Sequence, residues 1–84
     1  MNKNIIKKYA DGITKEDILK FAESENININ SNELDTIYYI IKNKQDEILN
    51  GDFYDFISNY KNSFNPLLFN KIIEKYKKYK KFID

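Results

Sequence analysis

The chain has 84 residues, with 14 Lys against 13 acidic residues for a net charge of +1, and no Arg, His, Cys, Trp or Val. One domain, residues 1–84, fits that length and two do not. The missing residue types exclude an imidazole base, a thiolate nucleophile, a His/Cys zinc cluster, a bidentate carboxylate clamp and an arginine finger.

Helical spacing dominates the chain from its first third onward. Residues 2–10 can form a short helix that ends near Asp11-Gly12. Thr14-Lys15-Glu16-Asp17 is a helix start. A Thr N-cap accepts a free N–H, and acids in the first turn complement the helix dipole. Ile18, Phe21 and Ala22 follow at i, i+3 and i+4, with Leu19 on the flank, and predict a helix over about 15–25.

Asn26-Ile27-Asn28-Ile29-Asn30 alternates with period two. It reads as an extended connector whose Ile residues plug the core; the other reading is a short strand, which finds no partner in the chain. Asn30 or Asn32 can cap the next helix, with Glu33 or Asp35 three residues on. That helix, about 32–44, puts Leu34, Ile37, Tyr38 and Ile41 on one face, Ile40 on the flank and Tyr39 well away. Residues 45–51, ending in Asn50-Gly51, read as a loop.

Asp52 reads as the N-cap of a helix over about 53–61, with Phe53, Phe56, Ile57, Tyr60 and Phe64 on one side. Asn65-Pro66 starts the last helix, about 66–83, with Asn at the cap and Pro at the first helical position. At about 100° per residue, Leu68, Phe69, Ile72, Ile73, Tyr76, Tyr79 and Ile83 share an arc of about 140°. Most lysines fall outside that arc, and Lys80 alone intrudes. The fold class is therefore all-α: a compact bundle of about four helices with no significant sheet.

Large side chains (14 Ile, 7 Tyr and 6 Phe) bring much core area per residue to a chain with no disulfide. Ile, Lys, Asn, Tyr and Phe supply 53 of 84 residues, all with A/T-rich codons, so the use of Lys without Arg reflects coding as much as any site. The basic start is not followed by the apolar stretch of a signal peptide. The longest apolar run, Ile37-Tyr38-Tyr39-Ile40-Ile41, is far below the ~20 residues that span a bilayer. A cytoplasmic, soluble protein with no membrane contact is expected.

Four features bear on function. Residues 71–84 hold six Lys and two acids, net +4, against eight Lys and eleven acids, net −3, in residues 1–70. Lys71, Lys75, Lys77, Lys78 and Lys81 are thus a candidate nucleic-acid or ribosome surface, with Tyr76 and Tyr79 interleaved for stacking; the alternative is the solvated face of an amphipathic helix. Second, Phe69, Ile72, Tyr76, Tyr79 and Ile83 step by 3, 4, 3, 4, which suits either self-association or packing within the chain. Third, Asp46-Glu47 and Asp52/Asp55 could pair, but Asp at a helix start is usually a cap. Fourth, Tyr39 and Ile40, off the main stripe, are a candidate partner surface.

No nucleophile elbow, metalloprotease, P-loop or dinucleotide pattern is present. The expectation is a non-enzymatic helical interaction module that binds another protein, with no cofactor, no metal and no small-molecule substrate. Nucleic-acid binding through the last helix is the alternative.

Residues Ile13-Thr14-Lys15-Glu16-Asp17-Ile18-Leu19-Lys20-Phe21-Ala22, the alternating Ile27-Asn28-Ile29-Asn30, and the helix with Leu34, Ile37 and Ile41 resemble a small family of low-GC Gram-positive bacteria recorded as a domain of unknown function. Asn65-Pro66 stands where that family starts its last helix. Lys42-Asn43-Lys44-Gln45 replaces the family's basic-Gly stretch, and its arginines are absent. The resemblance covers about 12–80 and implies an all-helical fold and a bacterial cytoplasm, with no assigned activity.

Overall fold

A computed structural model describes the backbone of residues 3–83 and the side chains of residues 4–81. Asn2, in the expected first helix, and the side chain of Ile83, on the expected apolar arc, lie outside the described residues. Among those described, the fold is all-α: α1 (Lys3–Gly12), α2 (Lys15–Ser24), α3 (Ser31–Asn43), α4 (Gln45–Leu49), α5 (Phe53–Ser58) and α6 (Pro66–Ile83), with a 3₁₀ turn at Lys61–Ser63.

The helix starts follow the polar residues at their caps. Thr14 Oγ1 accepts the Asp17 N–H while the Asp17 carboxylate accepts the Thr14 N–H, a reciprocal capping box. Asn30, rather than Asn32, does the same with Glu33. The Asp52 carboxylate accepts the Asp55 N–H at 3.1 Å, so this acid pair is a cap.

Helix α2 ends in a Schellman motif. The Ile27 N–H donates to the Ala22 carbonyl and the Asn26 N–H to the Glu23 carbonyl, with Asn26 left-handed at φ 57°. This turn drives Ile27 into the core beside Ala22. The connector reading of residues 26–30 therefore holds, with Ile29 also packed against the core.

The core gathers Ala22, Ile27, Ile40, Phe53, Ile57, Phe64 and Leu68, with Ile72, Ile73 and Tyr76 of α6 packed against it. Helix α3 presents two covered sides, because it packs against α1, α2 and α4. Glu33, Ile37 and Ile40 fall within about 60° of each other and face the main core. Leu34, Tyr38 and Ile41 form a second, half-buried side; Tyr38 lies beneath Lys15 and Lys42. The sequence centred this helix on the second side because a charged residue, Glu33, sits on the first.

Three expectations are corrected. Residues 45–51 are not a loop: α4 occupies Gln45–Leu49, and its Ile48 packs on the core. Asp46 and Glu47 suit its first turn, but five residues are too few for a periodic signal. The helix placed at 53–61 stops at Ser58, followed by the 3₁₀ turn. Ile40 is not part of a partner surface: it is 5% exposed and belongs to the core.

Glu33 links two helix starts. Its side chain is buried, 4% exposed. One carboxylate oxygen accepts the Asn30 N–H at 3.0 Å. The other accepts the Asn65 N–H at 2.8 Å and the Asn65 side-chain amide at 3.1 Å. Asn65 in turn caps α6, its side-chain oxygen accepting the Leu68 N–H at 2.8 Å. A buried carboxylate at two positive helix ends thereby fixes where α6 begins.

Candidate functional site

Helix α6 is about 27 Å long at 1.5 Å per residue, against a molecule whose longest extent is 31 Å. The body holds its first two-thirds. Beyond the Glu33–Asn65 anchor, Tyr76 stacks on Phe53 with ring centroids 3.9 Å apart and meets Tyr54 edge-on at 5.6 Å. On the other side, the Lys75 ammonium pairs with Glu25 at the end of α2 and sits over the Phe21 ring. That ion pair and hydrogen bond hold the Glu25 carboxyl below the usual carboxylate range and raise Lys75.

Past Tyr76 the cover ends. Residues Lys77, Lys78, Tyr79, Lys80 and Lys81 are all exposed. Five successive positions sweep more than one full turn, so no side of the helix is covered there. Tyr79, expected in the core arc, is 61% exposed. The apolar seam of α6 therefore runs off the bundle between Tyr76 and Tyr79. Lys80 in the apolar arc was the sequence signal for that point, since a lysine there cannot face a core.

The lysines divide into two groups. Lys71 pairs with Glu74 at 3.6 Å on its own helix, and Lys75 pairs with Glu25. Among the described residues, Lys77, Lys78, Lys80 and Lys81 make no ion pair, although Lys78 contributes to holding the Glu25 carboxyl low. These four lie within about 160° around the helix, and Tyr79 stands opposite their centre. The projection thus has a cationic side and an aromatic side. Of the other sequence candidates, Tyr39 on α3 is 48% exposed and stands apart from Ile40, which is buried.

A polar cleft of about 340 Å³ separates α1 from the α3–α4 junction, lined by Lys7, Asp11, Lys42, Gln45, Asp46 and Glu47. Its groups bond one another: Lys42 donates to the Asp11 carbonyl, and the Gln45 amide donates to the Asp11 carboxylate at 2.8 Å. These bonds fasten α1, whose Ile5 and Tyr9 face outward. Among the described residues, no three acidic side chains converge to hold a metal ion, and no helix is long and apolar enough to cross a membrane.

Comparison with protein-family models, with curated proteins and with solved structures gives no match.

Proposed function

We propose that the chain is a small non-enzymatic helical interaction module, acting in the bacterial cytoplasm, that binds another protein through the uncovered end of α6. The observation that carries this reading is Tyr79: it continues the arc of Ile72 and Tyr76, yet is 61% exposed. A helix laid along that arc would extend the core seam by one turn and cover the ring. Aromatic residues are enriched where two surfaces bury each other. A partner with an apolar helical face rimmed by carboxylates matches Tyr79 with Lys80 beside it. The bacterial cytoplasm is the setting that the resemblance over about 12–80 implies.

The test is affinity capture from a native extract with the wild type, Tyr79→Ala and Tyr39→Ala. The same bound protein should be recovered with the wild type and Tyr39→Ala and be lost with Tyr79→Ala. Equal recovery with all three chains, or recovery with none, overturns the reading.

Nucleic acid is the second reading, favoured by the four lysines without ion pairs on the opposite side of the same projection. It requires affinity that falls steeply with salt and disappears in Lys77→Glu, Lys78→Glu, Lys81→Glu. Tyr79→Ala should leave that binding unchanged, because the ring and the lysines face opposite ways.

A further inference from the structure

The partner of the α6 projection has a candidate within the chain's own charge distribution. Residues 45–60, which form α4 and α5, contain four acids (Asp46, Glu47, Asp52 and Asp55) and no lysine, a net of −4. Residues 71–84 carry net +4. Among the described residues, none of the four acids forms an ion pair, and neither does Lys77, Lys78, Lys80 or Lys81. Asp46 and Glu47 share the cleft beside α1 with Lys7 and Lys42, whereas Asp52 and Asp55 at the start of α5 and Lys77, Lys80 and Lys81 of α6 make no ion pair among the described residues.

We infer that this surface pairs with a second copy of the chain, the α6 projection of each molecule lying over the α4–α5 segment of the other. The inference rests on the interaction reading above and makes its partner a second copy. Tyr76 seats the root of the projection against Phe53 and Tyr54, so the start of α5, which carries Asp52 and Asp55, lies at that root. A two-fold axis beside Tyr54 then forms the tail-to-body contact twice, as symmetric dimers require. Exposed Tyr54 supplies the apolar contact beside that axis. A symmetric contact of two α6 ends is disfavoured, because it brings four lysines of each copy together without a counter-charge.

Sedimentation equilibrium over a range of concentrations tests this, at an ionic strength of about 0.01 M and of about 1 M, where the screening length falls from about 30 Å to about 3 Å. The wild type should rise from its 10.1 kDa toward twice that mass at low salt and return to monomer at high salt. A tail variant (Lys77→Glu, Lys80→Glu, Lys81→Glu) and a body variant (Asp55→Lys) should each be monomeric, with circular dichroism showing both folded. Mixed together they should form a dimer, since each contact again joins opposite charges.

A wild type that stays monomeric at low salt overturns the self-pairing, while the Tyr79-dependent capture still tests the interaction reading. A dimer that persists at high salt, or in both variants, assigns the contact to another surface and also overturns it. A monomer that binds a mixed-sequence single-stranded RNA in a salt-dependent way assigns the lysines to phosphate instead.

Discussion

Glu33 and Asn65, 32 positions apart, tie the starts of α3 and α6 together: one oxygen of the Glu33 carboxylate accepts both the backbone and the side-chain N–H groups of Asn65. The other oxygen closes the capping box with Asn30. One buried side chain therefore satisfies donors at the starts of α3 and α6, and among the described residues it forms no ion pair. Glu33→Ala leaves these donors without an acceptor, at an expected loss of about 2–3 kcal/mol. That is a fall in Tm of about 10–20 °C for a domain of this size. Glu33→Gln should recover only part of it, because an amide turns one acceptor into a donor facing other donors. Thermal unfolding followed by circular dichroism measures both, and an unchanged Tm in Glu33→Ala would show that the bonds add nothing.

The turn at Asn26 permits an independent check on how α2 hands the chain to the core. Asn26 has φ 57°, a region that disfavours most L-residues by about 1–2 kcal/mol. Asn26→Ala should lose about 1 kcal/mol, while Asn26→Gly should match or slightly exceed the wild type. Urea midpoints separate the two; equal midpoints for Ala and Gly would mean that the left-handed turn does not hold in solution.

How much of this was legible in the sequence depended on range. The caps at Thr14, Asn30, Asp52 and Asn65 were readable because each is a local pattern that the folded chain uses locally. The Ile plugs of the connector were readable from their alternation. Ile40 was misplaced because the surface of α3 that faces the core includes Glu33, and a carboxylate counts as polar in any periodicity. Its partner, Asn65, is visible only in three dimensions. The end of the α6 seam has one local sign, Lys80 in the apolar arc; that the bundle stops short of Tyr79 is visible only in three dimensions.

The same contrast predicts unequal effects of truncating covered and uncovered side chains. Ile57 is the most deeply buried core side chain, 2% exposed. Ile57→Ala should destabilise by about 2–5 kcal/mol, enough to unfold much of a small domain. Phe69→Ala and Ile72→Ala, at half-buried core positions, belong to the same class. Tyr79→Ala should stay within about 0.5 kcal/mol of the wild type. Denaturant unfolding of the set decides the matter. A large loss in Tyr79→Ala would place the ring in a packed contact and remove the premise of an uncovered helix end.

The ion pair between Glu25 and Lys75 makes the hold of α2 on α6 depend on pH at both ends of the scale. The Glu25 carboxyl is lowered chiefly by its hydrogen bond to Lys75, and Asp17 by its bond to the Thr14 backbone. A carboxyl depressed in the folded state stabilises above its unfolded value, about pH 4, and loses that contribution as pH falls through its folded value. Lys75 and Lys15 are raised, chiefly by their bonds to Glu25 and Asp35. Their contribution is complete below about pH 10 and is lost as pH rises beyond it. Glu25→Gln should therefore be less stable than the wild type between about pH 5 and pH 9, with the gap narrowing in acid and again in alkali. Urea midpoints of both chains from about pH 2 to about pH 11 test it. A gap that is constant with pH would show that the change acts through packing on Phe21 and not through the charge pair.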